Sequence, residues 1–306
     1  MQHIDILLAT YNGEKYLEAQ ILSLQQQTHK NWTLWIKDDC STDSTKKIIQ
    51  KFCNDDARII KIDSTGINIG AAKNFFSLLQ YANSEYIIFC DQDDIWFEKK
   101  LEILLKQAEK YLENNLPGLV YCDAHAYSNV TGVITSQGIQ RFNADSLKQF
   151  LFLNSGYQGS STLFNKKLLS YAQNYKREFF MHDDIIALIA HTFGKVHFIS
   201  RSLMLYRQHE DNVTGNIVLN RFDIVKRFFK RDACVLNKLH YEETIQFYEE
   251  YHKLMEPKQV KLFQEYITYP ESSFLKRLMI IVRNDFSLGK SRFSLIVKTF
   301  LRKPVS

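Results

Sequence analysis

Short apolar runs alternate with amphipathic stretches through the first third of the chain. Ile4 to Thr10 reads as a strand, and a helix follows from about Glu14 to Gln27, where Leu17, Ile21 and Leu24 recur at helical spacing. Trp32 to Lys37 reads as the next strand, and Ser44 to Phe52 as a helix capped around Asp43. A short strand at Ile59 to Ile62 leads through a glycine-containing loop into a helix from about Ala71 to Ala82. The apolar run Tyr86 to Cys90 and a long helix from Glu98 to Asn114 complete the pattern. This rhythm predicts parallel βαβ units and a doubly wound α/β sheet. Ligands of such sheets bind at the carboxyl ends of the strands, so the strand exits are the informative places.

Four exits are unusual. Thr10-Tyr11-Asn12-Gly13 follows the first strand, and Asp38-Asp39-Cys40-Ser41-Thr42-Asp43 the second. Gly66-Ile67-Asn68-Ile69-Gly70-Ala71-Ala72-Lys73-Asn74 follows the third, and Asp91, Asp93 and Asp94 stand directly after Cys90. Each has an ordinary structural reading: an Asn-Gly turn, a Ser-Thr-Asp helix cap, glycines that permit tight bends, aspartates opening a helix. Together on one rim they offer an aromatic ring and amides for a base, carboxylates for a base edge or ribose hydroxyls, and a seat for a cation on a diphosphate. Two carboxylates about 4 Å apart repel by roughly 4 kcal/mol at an effective dielectric of about 20. A divalent cation converts that repulsion into ligation by hard oxygen donors.

Composition narrows the classes. At 306 residues, 45% of them apolar, the chain can hold one large domain, or a domain of about 200 residues with an extension. A net charge of +5 does not announce nucleic-acid binding. Cys40, Cys53, Cys90, Cys122 and Cys234 are scattered, odd in number and without zinc-site spacing, so reduced thiols in a cytoplasmic protein are expected. The start lacks a basic leader and no apolar run suits a membrane span, so neither a signal peptide nor a transmembrane helix is expected. The sequons at Asn129 and Asn212 are then expected to carry no glycan.

The second half adds three groups. Asn154-Ser155-Gly156-Tyr157-Gln158-Gly159-Ser160-Ser161 is small and polar before the strand-like Thr162-Leu163-Phe164, and reads alone as a loop. Met181-His182-Asp183-Asp184 heads the apolar helical stretch Ile185 to Ala190, where acidic residues suit the helix dipole. Tyr206-Arg207-Gln208-His209 begins a run to Gly215 that sets a histidine after a strand and beside an arginine. A lone histidine in that place is more often structural than a ligand.

The ordered exits resemble the nucleotide-binding half of a family 2 glycosyltransferase with the GT-A fold, from about Ile4 to Gly215. The resemblance implies a GT-A domain over residues 1–215 and a helical, basic extension over 216–306. It sets Thr10, Tyr11, Asn12 and Asp39 around the nucleoside, with Asp38 close behind. Asn68, Gly70, Lys73 and Asn74 fall beside the nucleotide sugar. Lys73 stands where arginine is common; lysine neutralises phosphate as a point charge but loses the bidentate fork. Cys40 replaces a frequent glycine. Asp91-Gln92-Asp93 matches the metal-and-ribose motif, with Asp93 as direct ligand of Mg²⁺ or Mn²⁺ and Asp91 nearer the ribose. His209 falls near the metal or diphosphate, and Arg207 neutralises phosphate charge. Asp94, Trp96, Gly159, Ser160 and His182 fall on the side of the transferred sugar and acceptor. Asp183 becomes the general base, with Asp184 the alternative, because a sugar hydroxyl is a poor nucleophile until its proton is removed.

The Asp-Gln-Asp-Asp-Ile-Trp run at 91–96, the His-Asp pair and Tyr-Arg-Gln-His at 206–209 look most like bacterial rhamnosyltransferase-type members, which build O-antigen, capsule or cell-wall polysaccharides. That likeness implies inverting transfer from dTDP-L-rhamnose, with a UDP-hexose as alternative donor, to a growing glycan on a polyprenyl-diphosphate lipid.

The tail is helix-like and basic in patches. Arg221, Lys226, Arg227, Lys230 and Arg231 form one cluster, and residues 272–306 hold eight Lys/Arg against one acid, Asp285. Such a tail is either a cap with a solvated basic face or a surface that meets anionic lipid at the inner face of the plasma membrane. Competing classes are disfavoured. A binding scaffold that had lost turnover would lack acids at the metal or base positions, yet Asp91, Asp93 and Asp183 are all present. A nucleic-acid binder using the tail and Phe228 and Phe229 would need a recognised module, and none is found, so no nucleic-acid partner is expected. A sugar nucleotidyltransferase carries a glycine-rich basic first loop, which Thr10-Tyr11-Asn12-Gly13 does not supply.

Overall fold

The computed structural model describes residues 2–64, 66–140, 143–154, 156–209 and 234–305. Ser155, residues 210–215 of the histidine motif, the sequon at Asn212, the basic cluster from Arg221 to Arg231 with Phe228 and Phe229, and the expected boundary at 215/216 lie outside the described residues. The chain divides into two compact units. One comprises Met1–Gln140, Tyr157–Asn174 and Lys195–Ile217; the other comprises Arg141–Gly156, Tyr175–Gly194 and Val218–Ser306.

The first unit is built on a sheet whose leading half is parallel. β1 (Ile4–Thr10), β2 (Trp32–Asp38), β3 (Ile59–Ile62) and β4 (Tyr86–Cys90) lie in the order β3-β2-β1-β4. Helices α1 (Leu17–Gln25), α2 (Thr45–Asp55) and α3 (Ala71–Leu78) intervene in sequence, as crossovers between parallel strands require. β1 and β4 are buried at every position, which is why they read as continuous apolar runs. Asp5 is accommodated within β1 because its carboxylate accepts Trp35 Nε1–H at 3.0 Å and the backbone N–H groups of Asn83 and Ser84 at 2.8 Å each. Thr10 lies opposite Asp38, and Leu8 opposite Cys90, so these strands end at one rim.

Beyond β4 the sheet becomes mixed. β8 (Thr162–Asn165) is antiparallel to both β4 and β6 (Gly118–Ser128), and β9 (Lys195–Gln208) runs parallel to β6. The short β5 (Ile95–Trp96) pairs with β9, and β7 (Ile134–Gly138) with β6. The helix expected from Glu98 therefore starts later, as α4 (Lys100–Tyr111). Likewise the helix expected to reach Ala82 ends at Leu78 and tightens into a 3-10 turn over Leu79–Tyr81. α6 (Lys166–Asn174) follows β8. Ile6, Leu8, Ile21, Leu34, Ile88, Leu104, Val120 and Leu163 belong to one continuous core.

The second unit contains α5 (Leu147–Phe150), α7 (His182–Phe193), α8 (Lys238–Tyr251), α9 (Pro257–Thr268), α10 (Phe274–Asn284), α11 (Arg292–Leu301) and the parallel pair β10 (Cys234–Leu236) and β11 (Lys303–Val305). Phe152 is central to its core, with the rings of Tyr266, Tyr269 and Phe286 at 5.3, 5.2 and 5.1 Å. Helix starts are well capped: Asn237 accepts the N–H groups of Leu239 and His240, and Glu256 and Gln259 form a capping box with Pro257 at the first position. All five cysteines are free. Among the described residues no helix is long and apolar enough to cross a membrane.

Candidate functional site

The first two strand exits are laced together. Asn12 adopts a left-handed φ of 47°, its N–H donates to Ser41 Oγ at 2.8 Å, and its Oδ1 accepts Thr42 N–H at 3.0 Å. Gly13 N–H donates to Thr45 Oγ1 at 2.8 Å, and Asp39 N–H to Thr10 O at 2.8 Å. Tyr11 is left 46% exposed at this rim. The fourth exit joins them through Gln92, which sequence reasoning passed over. Its Oε1 accepts Thr10 Oγ1–H at 2.5 Å and Tyr11 N–H at 3.0 Å, and its Nε2 donates to Tyr11 O at 3.1 Å. A Cβ on Gly13 would stand 2.5 Å from Gln92 Oε1, so a larger residue there would push the Gln92 amide from its place. The available signal was an amide between two aspartates at an exit opposite a glycine turn.

The third exit closes on the second. The two carboxylate oxygens of Asp39 accept Ile69 N–H at 2.9 Å and Gly70 N–H at 2.8 Å, and Asn68 Nδ2 donates to Asp39 O at 3.1 Å. Gly70 has φ 84°, a conformation that favours glycine. Asp38 is turned into its own loop, accepting the N–H and hydroxyl of Ser41. Asn74 is buried and donates to Lys37 O at 3.1 Å, while Lys73 is exposed in the first turn of α3.

The acidic exit is compensated by an unusual cation. Asp94 is fully buried, accepting Ser160 Oγ–H at 2.8 Å and Arg207 N–H at 3.4 Å. Burial pushes its carboxyl well above the ordinary range, and the charges of Asp91 and Asp93 add to the effect. Lys100 is equally buried, with Nζ 2.6 Å from Ser160 O and 3.5 Å from the centre of the buried Trp96 ring. Lost solvation draws its pKa down to about 8. Asp91 is half-buried, and lost solvation followed by the charge of Asp93 raises it to about 7. Asp93 Oδ2 lies 2.8 Å from His209 Nε2, and the His209 ring packs against Tyr16 at 4.9 Å. Arg207 donates through Nε to Asp93 O and through a terminal nitrogen to Asn129 Oδ1, both at 2.7 Å, and its guanidinium lies 4.8 Å from the Tyr16 ring. The Asp93–His209 pair offers donor types that suit a divalent cation, and the Asp91 carboxyl lies in the same acidic exit. The pair supplies a hard carboxylate oxygen and an imidazole, while the Asp91 carboxyl beside it is pushed up first by lost solvation and then by the charge of Asp93. Gly159 and Ser160 are buried in this wall.

The remaining candidates, His182, Asp183 and Asp184, belong to the second unit. They open α7, where Asp183 Oδ1 accepts Asp184 N–H at 3.0 Å. Asp183 is half-buried; His182 and Asp184 are buried. Asp184 is held from two sides, accepting Gly156 N–H through Oδ1 and lying 2.8 Å from His240 Nδ1 through Oδ2. Glu243 completes a buried cluster with Asp184 and His240, and its pKa rises to about 10 through lost solvation, then the charges of Asp184 and Asp183. The Asp184 carboxylate is anchored in the interior by Gly156 and His240, with the raised carboxyl of Glu243 beside it. Sequence reasoning missed both partners; their signal is a His and a Glu three apart, one face of α8. His182, with its ring drawn down to about 3 by burial, is neutral.

The comparisons with known proteins decide the family. Residues 5–209 match glycosyl transferase family 2. The chain belongs to that family. A relative, the dTDP-rhamnosyl transferase RfbG of Shigella flexneri, is 32% identical over 253 residues, covering 78% of this chain and 82% of the relative. The Escherichia coli UDP-Glc:alpha-D-GlcNAc-diphosphoundecaprenol beta-1,3-glucosyltransferase WfgD is 37% identical over 113 residues, 37% of this chain and 43% of that protein. The fold of this family 2 member is also that of S. aureus TarS residues 1–349 in complex with UDP-GlcNAc, with TM-score 0.58 at 16% identity, covering 93% of this chain and 79% of that one.

Proposed function

We propose that this glycosyltransferase moves L-rhamnose from dTDP-L-rhamnose to a hydroxyl of a growing bacterial surface glycan carried on a polyprenyl-diphosphate lipid. The observation that carries the nucleotide-sugar reading is the rim itself, where exposed Tyr11, the laced Asp39 loop and the Asp93–His209 pair follow one another. The likeness to a dTDP-rhamnosyl transferase over 78% of the chain favours the donor. A UDP-hexose is the second reading, because WfgD, whose name gives UDP-Glc as donor, shares 37% identity over 113 residues. The acceptor class follows the diphosphoundecaprenol in that relative's name.

In this reading Tyr11 stacks on the base, Asn12 and Asp39 address the nucleoside, and Asp91 meets the ribose. Asp91, Asp93 and His209 would hold Mg²⁺ or Mn²⁺, which when bound stabilises charge on the departing diphosphate. Arg207 and Lys73 add fixed positive charge there. Asp183 removes the acceptor hydroxyl proton while that oxygen attacks the anomeric carbon opposite the diphosphate, so the configuration inverts. Asp184 is the second choice because its two carboxylate oxygens are engaged by Gly156 and His240.

Calorimetric titration with dTDP and UDP, each with Mn²⁺ and with EDTA, tests the donor side. Metal-dependent binding that favours dTDP is expected; a preference for UDP transfers the assignment to a hexose donor. Asp183→Asn is expected to lower turnover by about 10²–10⁴-fold with nucleotide affinity unchanged, and near-wild-type turnover would remove Asp183 from the mechanism.

A further inference from the structure

α10 and α11 present an apolar stripe to solvent. On α10, Ile280 and Ile281 are buried, while Leu275, Met279 and Val282 are 70%, 62% and 55% exposed. Steps of four and three residues keep these three within about 60° of one another around the helix. On α11, Leu295 and Thr299 are buried, while Phe293 and Phe300, seven residues apart, are 76% and 60% exposed. The helices meet where Phe274 packs edge-on against Phe300 at 4.8 Å. Of the nineteen large apolar side chains exposed among the described residues, six fall between Leu275 and Leu301, so this is a concentration and not background.

Cations border the stripe. Lys276 and Arg283 share one flank of α10, about 80–100° from Leu275 by helical geometry. Both are exposed, as is Lys303, and none of the three enters an ion pair among the described residues. Lys290 pairs with Asp145, and Arg292 pairs with Asp285, the one acid in the segment. An apolar row with a cationic flank suits two layers at once, acyl chains for the row and anionic headgroups for the flank.

We propose that this paired-helix face docks on the surface of an anionic bilayer. The inference deepens the proposed function, because a polyprenyl-linked acceptor resides in a membrane. The test needs neither donor nor acceptor, so the two readings fail separately.

Co-sedimentation of the full chain with phosphatidylcholine vesicles, with and without phosphatidylglycerol, is the experiment. Wild type is expected to bind the anionic vesicles at least about tenfold more tightly than the neutral ones. Lys276→Ala with Arg283→Ala should weaken that binding several-fold, and Leu275→Glu with Met279→Glu should abolish it, with thermal midpoints and nucleotide affinity unchanged. Equal binding to both vesicle types, no binding, or binding undiminished by either double variant would overturn the proposal. A wild-type dimer in light scattering that the Leu275→Glu, Met279→Glu variant converts to monomer would also overturn it, assigning the face to a second copy.

Discussion

Cys40 sits at φ 65°, in the left-handed region where a side chain crowds its own backbone. A cysteine where the family resemblance implies glycine therefore has a conformational cost. Its Sγ lies 3.1 Å from Ser64 Oγ, a weak contact that does not offset it. Cys40→Gly is expected to raise stability by about 0.5–1 kcal/mol, the relief of strain less the added freedom of the unfolded chain, read from a chemical denaturation midpoint. Residue types at the rim were legible because Tyr, Asn and Asp at strand exits have few purely structural uses in combination. The mutual bonding of these residues was not. Nothing in one dimension says that Gln92 reaches Thr10 and Tyr11, or that Lys100 lies buried beneath Trp96 and neutralises part of the acidic exit.

Elements were legible where a single physical signal dominated. β4 was read with its observed ends because a buried parallel strand is an unbroken apolar run, and β1 and β3 were also read with theirs, although Asp5 interrupts β1 and Ile60 and Lys61 of β3 are exposed. Helix ends drifted where tertiary pairing intervened, as β5 did before α4. The head of α7 was read as a possible cap or a catalytic acid. Structurally its two aspartates diverge, Asp184 inward to His240 and Glu243 and Asp183 half-buried. This divergence has a pH signature. Folded Glu243 keeps its proton to about 10, whereas an unfolded glutamate releases it near 4.3, a reference value. Between these values the unfolded state gains by ionising, so stability falls as pH rises, by up to about 1.4 kcal/mol per pH unit. Glu243→Gln keeps the size of the side chain, has no carboxyl proton to release and so removes that slope. Its thermal midpoint should gain on wild type progressively from about pH 5 to about pH 9. Parallel midpoints across that range would mean that Glu243 is ionised in the fold.

At the scale of the molecule, the chain crosses between its two units repeatedly. Segments Arg141–Gly156 and Tyr175–Gly194 fold with the tail and not with their sequence neighbours. The family motifs could mark where the resemblance stops, near residue 215, but not this partition. It is made by contacts between distant residues, such as Asp184 with His240 and Phe152 with Tyr266, which leave no local pattern. Ending the chain before α8 should therefore do more than remove an appendage. It strips His240 and Glu243 from Asp184 and leaves a buried carboxylate without its anchor, which costs about 3–5 kcal/mol when one partner of a buried pair is lost. Such a fragment is expected to lose cooperative unfolding in α7, measurable as lost amide-exchange protection over residues 182–193. The same interleaving bears on recombination between relatives. A crossover near residue 215 transplants only part of a cooperating body, whereas a graft of the tail that is to fold must carry two upstream inserts with it, three separate stretches of chain moved as one.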